Sequence, residues 1–304
     1  MPTRRAFLNL CIALALVRRA RAASEGASTP GALAAGVGAD LSWLELPLAD
    51  ERGPGRRAIV MYPTATQPGQ TYPGLLLFHG RGETSNDSVA IHAWRTLYGL
   101  ERSDARLRRP PIDFAPEQRR FIEPAQLDAI HRRLEQKPFS GLCVICPVTP
   151  NPHRSAQPAR VLGRYSEWIE HTLLPAARTR APLDSTRLGV DGCSLGGYVA
   201  AEVFARKPHL FRSFGVVQPA VGAFRVPRYA RHLARAMKRE TLLGIHLQTS
   251  TRDPYRGAVR TLARHLKKQG ARFTLDVLPG PHDQQWLRAA GTLAMLAWHD
   301  YILS

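Results

Sequence analysis

The chain has 304 residues, 44% of them hydrophobic and 22% charged, with a formal net charge of +18. That balance excludes a chain too polar to bury a core, and the length suits one large α/β domain or two small ones. No internal repeat of fixed period is present, which excludes solenoid and propeller arrays.

The first residues read as a targeting segment. Arg4 and Arg5 precede an apolar stretch of twelve residues, 6–17, and Ala20-Arg21-Ala22 follows as a small-x-small cleavage site. Twelve residues are too few to span a bilayer, so the layout is that of a secretory signal. Thr3-Arg4-Arg5-Ala6-Phe7-Leu8 resembles the twin-arginine export motif. Residues 1–22 are therefore expected to be an export signal, residues 23–40 a flexible leader and residues 41–304 the folded domain, in the periplasm or outside the cell. An uncleaved basic anchor is the alternative. Loss of residues 1–22 removes five arginines and lowers the charge to about +13. Such a surface favours anionic neighbours, an envelope surface or an acidic polymer among them; a merely solvated arginine-rich surface is the plainer reading. The basic residues are scattered and form no recognisable nucleic-acid module, so no specific nucleic acid is expected. No later segment is a transmembrane candidate.

Strand patterns fall at 41–48, 57–62, 74–79, 142–147, 187–191, 213–218, 243–249 and 272–278, and helical periodicity at 89–98, 124–136, 165–178, 197–207, 228–238, 258–269 and 284–303. From the third onward the strands are short apolar runs, as in strands buried on both faces. The alternation predicts an α/β fold, a mostly parallel sheet of about eight strands with helices on both faces. The first two strands lack an intervening helix, so they are expected to form an antiparallel hairpin edge around 50–56. About sixty residues separate the third and fourth strands, far more than one crossover helix needs. The charged, proline-rich part of this interval, 99–138, is expected to be a long insert, either a lid or a surface excursion. Its arginines Arg106, Arg108 and Arg109 are candidates to wall the substrate pocket and favour anionic substrates.

Cys143 and Cys146 lie three apart in a strand pattern, so they face opposite sides. With Cys193 they read as small core residues; no disulfide is required, and no second Cys/His pair has metal-ligand spacing.

"VDGCSLGGYVAAEVFA", 190–205, places Ser194 between Gly192 and Gly196 at a strand-to-helix junction. This is the nucleophile-elbow pattern, in which a strained turn holds a serine hydroxyl out at the C-terminal edge of the sheet. A serine hydroxyl needs a base, and the acid and histidine follow the serine along the chain. Only His282, in "VLPGPHDQQW", sits in a loop directly after a strand. Asp253, in the loop after the seventh strand, is the acid best placed to orient it. Oxyanion donors are expected at the main-chain N–H of Leu195 and of Arg81, with Gly82 as alternative, because His79-Gly80-Arg81-Gly82 turns at the end of the third strand. His79 itself reads as a side chain that holds this turn. Glu83 and Trp286 are further substrate-binding candidates.

HGRG, GCSLGG, Asp253 and "LPGPHD…W" together resemble the α/β-hydrolase fold, and within it the esterase group that includes enterochelin, feruloyl and S-formylglutathione esterases. The resemblance runs from about residue 41 to the C-terminus. It implies hydrolysis of a carboxylic ester through Ser194, Asp253 and His282, with no metal or organic cofactor. The long basic insert and the "TSTRDPY" acid loop depart from the group, so a substrate does not carry over. An acyltransferase or serine peptidase of the same fold, or a non-catalytic basic module that binds the envelope, are the alternatives.

Overall fold

The computed structural model describes residues 35–46, 48 and 57–304. The expected export signal, most of the leader and the hairpin loop around 50–56 lie outside the described residues.

Nine strands form one sheet: β1 (Ala35–Val37), β2 (Leu41–Glu45), β3 (Ala58–Pro63), β4 (Tyr72–Phe78), β5 (Cys143–Pro147), β6 (Leu183–Gly192), β7 (Ser213–Val217), β8 (Gly244–Ser250) and β9 (Thr274–Leu278). Their order is β1-β2-β3-β5-β4-β6-β7-β8-β9. The first three strands are antiparallel, β3 also runs antiparallel to β5, and from β5 to β9 every pairing is parallel. β1 is additional to the expected eight. It pairs Gly36 with Trp43, and the indole lies so close over Gly36 that a side chain there would collide with it.

Parity along the central strands separates two apolar layers, because successive side chains point to opposite faces. Leu76, Phe78, Cys143 and Ile145 enter one layer, while Leu75, Leu77, Val144 and Cys146 enter the other. Cys143 and Cys146 therefore lie on opposite sides of the sheet, and burial pushes both thiols upward, away from the reactive thiolate. Helices cover both faces. α1 (Leu100–Arg108), α2 (Pro124–Gln136) and α7 (Thr292–Leu303) contribute to the second layer; α3 (Pro158–Trp168), α4 (Leu195–Arg206), α5 (Val226–Lys238) and α6 (Arg256–Lys268) contribute to the first. α3 starts seven residues before the expected position, with Pro158 at its first turn, where a missing N–H has no helical partner to lose. The 89–98 pattern divides into a turn capped by Asn86 and a wider π-type turn, Ala93–Leu97. Among the described residues no helix is long and apolar enough to cross a membrane.

The insert packs into the core. Its helices α1 and α2 bury Leu100, Leu107, Ile130 and Leu134, and the segment between them buries Ile112, Phe114, Phe121 and Ile122, all in the second core layer. Apolar periodicity within a charged sequence makes this an integral wall of the core. Its contact with the site is indirect: Phe121 packs against Gly280, and Gln126 Nε2 donates to the Val277 carbonyl at 3.1 Å.

Candidate active site

β6 ends at Gly192 and α4 begins at Leu195, with Ser194 between them at φ 53° and ψ −117°. This left-handed backbone costs about 1–3 kcal/mol for a residue with a side chain. Neighbouring contacts hold it in place: Ser194 N–H donates to the Val217 carbonyl (3.1 Å), and the Ser194 carbonyl accepts from Ala220 N–H (2.8 Å). Only glycine fits at 196, where an added Cβ would stand 2.1 Å from the Phe78 carbonyl oxygen.

The structure brings Ser194, His282 and Asp253 together. His282 Nε2 lies 3.0 Å from Ser194 Oγ, and His282 Nδ1 lies 2.9 Å from Asp253 Oδ1. Asp253 is buried and further fixed by Thr249 Oγ1 (2.6 Å) and by Tyr255 N–H (3.0 Å). With Nδ1–H donated to the carboxylate, Nε2 is left as the acceptor facing the serine hydroxyl. The histidine loop is pinned from several sides. Gln218 Nε2 donates to the Pro281 carbonyl (2.8 Å) and to Ser250 Oγ (2.7 Å), and Gly280 N–H donates to Thr251 Oγ1 (3.0 Å). Gln218 itself has a left-handed backbone, φ 45°, and no sequence pattern singled it out.

Around Ser194 lies a cavity of about 500 Å³, lined by Gly80–Glu83, Tyr98, Leu195, Gln218, Tyr255 and His282 among others. This is the size range of small-molecule sites. Arg81, Gly82 and Leu195 line it, and among the described residues neither Arg81 N–H nor Leu195 N–H donates to another main-chain group outside a helix or strand. Gly80 N–H donates to Tyr98 Oη (3.1 Å), whose hydroxyl donates to Glu83 Oε2 (2.5 Å). His79 packs behind this turn. Thr149 N–H donates to its Nε2 (2.8 Å) and its Nδ1 faces the Gly80 carbonyl (2.9 Å), while burial lowers its pKa and keeps the ring neutral.

Four of the sequence candidates do not reach the cavity. Trp286 is buried against Gly280 and Gly291, with Nε1 donating to the Pro279 carbonyl (2.9 Å); it shapes the histidine loop from inside the core. Arg106 lies over Phe114 and donates to Gln118 (2.6 Å), Arg108 pairs with Asp104 (2.6 Å), and Arg109 pairs with Asp40. Each guanidinium has local partners, so none lines the pocket as a free charge.

A second Ser–His–Asp set lies sealed within the core. His299 Nδ1 is 2.8 Å from Ser213 Oγ and His299 Nε2 is 3.0 Å from Asp191 Oδ2. Burial raises the Asp191 carboxyl to about 7 and holds His299 well below its usual value; His246 nearby adds to the lowering at His299 and partly offsets the rise at Asp191. Below about pH 7 two neutral partners result, the carboxyl donating to Nε2 and Nδ1–H to Ser213. Gly215 makes room for them: an added Cβ would stand 2.0 Å from Asp191 Oδ2.

No protein-family model matches the chain, and no curated protein matches it in sequence. Solved structures do match in fold. The S-formylglutathione hydrolase of Staphylococcus aureus superposes with a TM-score of 0.57 at 13% identity, over 88% of this chain and 99% of that one. The S-formylglutathione hydrolase of Agrobacterium tumefaciens gives 0.59 at 14% identity, over 89% and 99%. The ferric enterobactin esterase of Salmonella typhimurium gives 0.52 at 18% identity, over 91% of this chain and 61% of that one. The chain has the α/β-hydrolase fold.

Proposed function

We propose that the chain is a serine hydrolase of carboxylic esters. The observation that carries this reading is the unbroken run Ser194 Oγ–His282–Asp253, at 3.0 and 2.9 Å, opening into a cavity. The fold neighbours, which include S-formylglutathione hydrolases and an enterobactin esterase, support the same reaction class. Ser194 Oγ attacks the ester carbonyl carbon as His282 Nε2 takes its proton. The Leu195 and Arg81 N–H groups stabilise the oxyanion. The tetrahedral intermediate collapses, the C–O bond to the alcohol breaks, and His282 returns the proton to the departing oxygen. Water, deprotonated by the same imidazole, then releases the acid from Ser194, while Asp253 keeps the ring in register.

The test uses the purified protein with short-chain chromogenic esters and a fluorophosphonate probe. Ester turnover together with labelling of Ser194, each suppressed by the other reagent, is expected. Absence of both turnover and labelling overturns the proposal.

Export by the twin-arginine route belongs to the same reading, supported by Arg4-Arg5, the short apolar run and cysteines that need no disulfide. Arg4→Lys with Arg5→Lys should retain the protein in the cytoplasm on fractionation; unchanged export would favour the general secretory route.

A further inference from the structure

The cavity around Ser194 departs in sign from the +18 chain that holds it. Its charged lining consists of Glu83 and Asp283 against Arg81, beside the imidazoles of His153 and His282. Arg81 and Asp283 are exposed, whereas Glu83 is only 6% exposed, so its field is the least screened of the three.

Glu83 is buried without a counter-charge. Oε2 accepts from Tyr98 (2.5 Å) and Oε1 from Gln284 Nε2 (2.9 Å), both neutral donors. Among the described residues, no lysine, arginine or histidine nitrogen lies within 4.0 Å of its carboxylate. Two hydrogen bonds leave a carboxylate with acceptor capacity to spare. Glu202, also buried, has arginines 206, 225 and 228 around it, whereas buried Asp300 is held by the hydroxyl and N–H of Ser140 and the N–H of Gly141. The location sharpens the contrast. Glu83 Oε2 is 3.5 Å from where a Cβ on Gly80 would stand, on the turn that supplies Arg81 N–H to the oxyanion. A fixed negative charge there opposes the negative charge that develops on the substrate. A cation bound with the substrate removes both the desolvation cost and the repulsion.

We infer that the substrate is a cationic ester, one whose acyl or alcohol part ends in a primary ammonium or guanidinium group that seats on Glu83. The inference rests on the hydrolase reading of the same cavity. It reverses the preference for anions that the arginines of the insert suggested.

Three esters of matched length, ending in ammonium, methyl or carboxylate, separate the possibilities, with the charge placed in one series on the acyl side and in the other on the alcohol side. In one of the two series kcat/KM should rank ammonium above methyl above carboxylate. The ammonium ester should lead the methyl ester by about tenfold or more, the scale of a charged hydrogen bond. Glu83→Gln should shrink that ratio to near one. Equal rates for ammonium and methyl esters in both series, or a preference that survives Glu83→Gln, overturns the inference. Should Glu83→Gln fold poorly, calorimetry of n-butylammonium against n-butanol on the unaltered protein decides: ammonium binding alone supports the inference, equal or absent binding overturns it. Turnover of the methyl ester without ammonium preference defeats only the substrate class, whereas no turnover of any ester defeats the hydrolase reading itself.

Discussion

Two Ser–His–Asp sets occur in one molecule, and their hydrogen-bond lengths hardly differ. Ser194–His282–Asp253 spans 3.0 and 2.9 Å; Ser213–His299–Asp191 spans 2.8 and 3.0 Å. Distance alone therefore does not make a nucleophile. Ser194 stands on a strained turn at the edge of a cavity, whereas Ser213 lies inside β7 with no exposed surface. The first set keeps its acid tied by Thr249 and Tyr255 N–H, donors that suit a carboxylate. The second has surroundings that favour a neutral carboxyl. One set is arranged to move a proton to a substrate, the other to satisfy polar groups within the core.

The largest expected separation is between the two serines. Ser194→Ala should lower kcat by about 10⁴ or more, by analogy with known triads, while Ser213→Ala should stay within about twofold of the parent. Comparable activity of the two variants in a chromogenic ester assay would erase the distinction. Asp253→Asn comes next, with a loss of about 10⁴ in kcat at neutral pH, because the amide favours the wrong imidazole tautomer. Full activity would mean that another acid serves, and Asp283 would be the one to change.

The sealed set should answer in stability instead. Asp191→Ala should cost about 1–3 kcal/mol in urea denaturation by leaving His299 and Gly192 N–H without a partner, whereas Asp191→Asn, which can still donate to Nε2 and accept from Gly192, should cost clearly less. Equal losses would mean that the folded pair is ionic. The folded pair carries one proton, and so does the unfolded pair between about pH 4 and pH 6.5, where it sits on the imidazole. The pair therefore adds no slope to stability in that window. Below it the unfolded pair binds a second proton and stability falls with falling pH. Between about pH 6.5 and pH 7 the unfolded pair has released its proton while the folded carboxyl, raised to about 7, still holds one, so stability falls slightly with rising pH and then levels off. The urea midpoint of the parent minus that of an Asp191→Asn, His299→Gln double variant, followed across pH, should show this plateau; a slope across the window would mean that the folded pair holds no proton or two. The smallest effect belongs to the insert: Arg106→Gln, Arg108→Gln and Arg109→Gln, made singly, should each leave kcat/KM within about twofold for charged and neutral esters alike. A selective loss on anionic esters would return these arginines to the pocket.

Much of this architecture was legible in the chain. Short apolar runs marked β4, β5, β7 and β8 because strands buried on both faces need continuous hydrophobicity, and the order Ser194, Asp253, His282 picked out the three side chains that converge. β1 escaped because three residues, two of them exposed, leave no periodicity to read. The insert was misjudged because its arginines are conspicuous in sequence, while their partners Asp40, Asp104 and Gln118 become neighbours only in the fold. His299 and Asp191 were individually visible, but one lies in α7 and the other in β6, so their pairing is a property of packing alone. The missing counter-charge at Glu83 is of the same kind, since an absence in space leaves no mark on a sequence.

The backbone at Ser194 has a consequence for engineering. Glycine adopts φ 53° and ψ −117° freely, so Ser194→Gly would relieve about 1–3 kcal/mol of strain and lose about 0.5–1 kcal/mol to the greater freedom of the unfolded chain. The balance favours the inactive protein. A screen for heat resistance alone would thus reward discarding the nucleophile, and any thermostabilised library of this chain has to be selected for turnover at the same time.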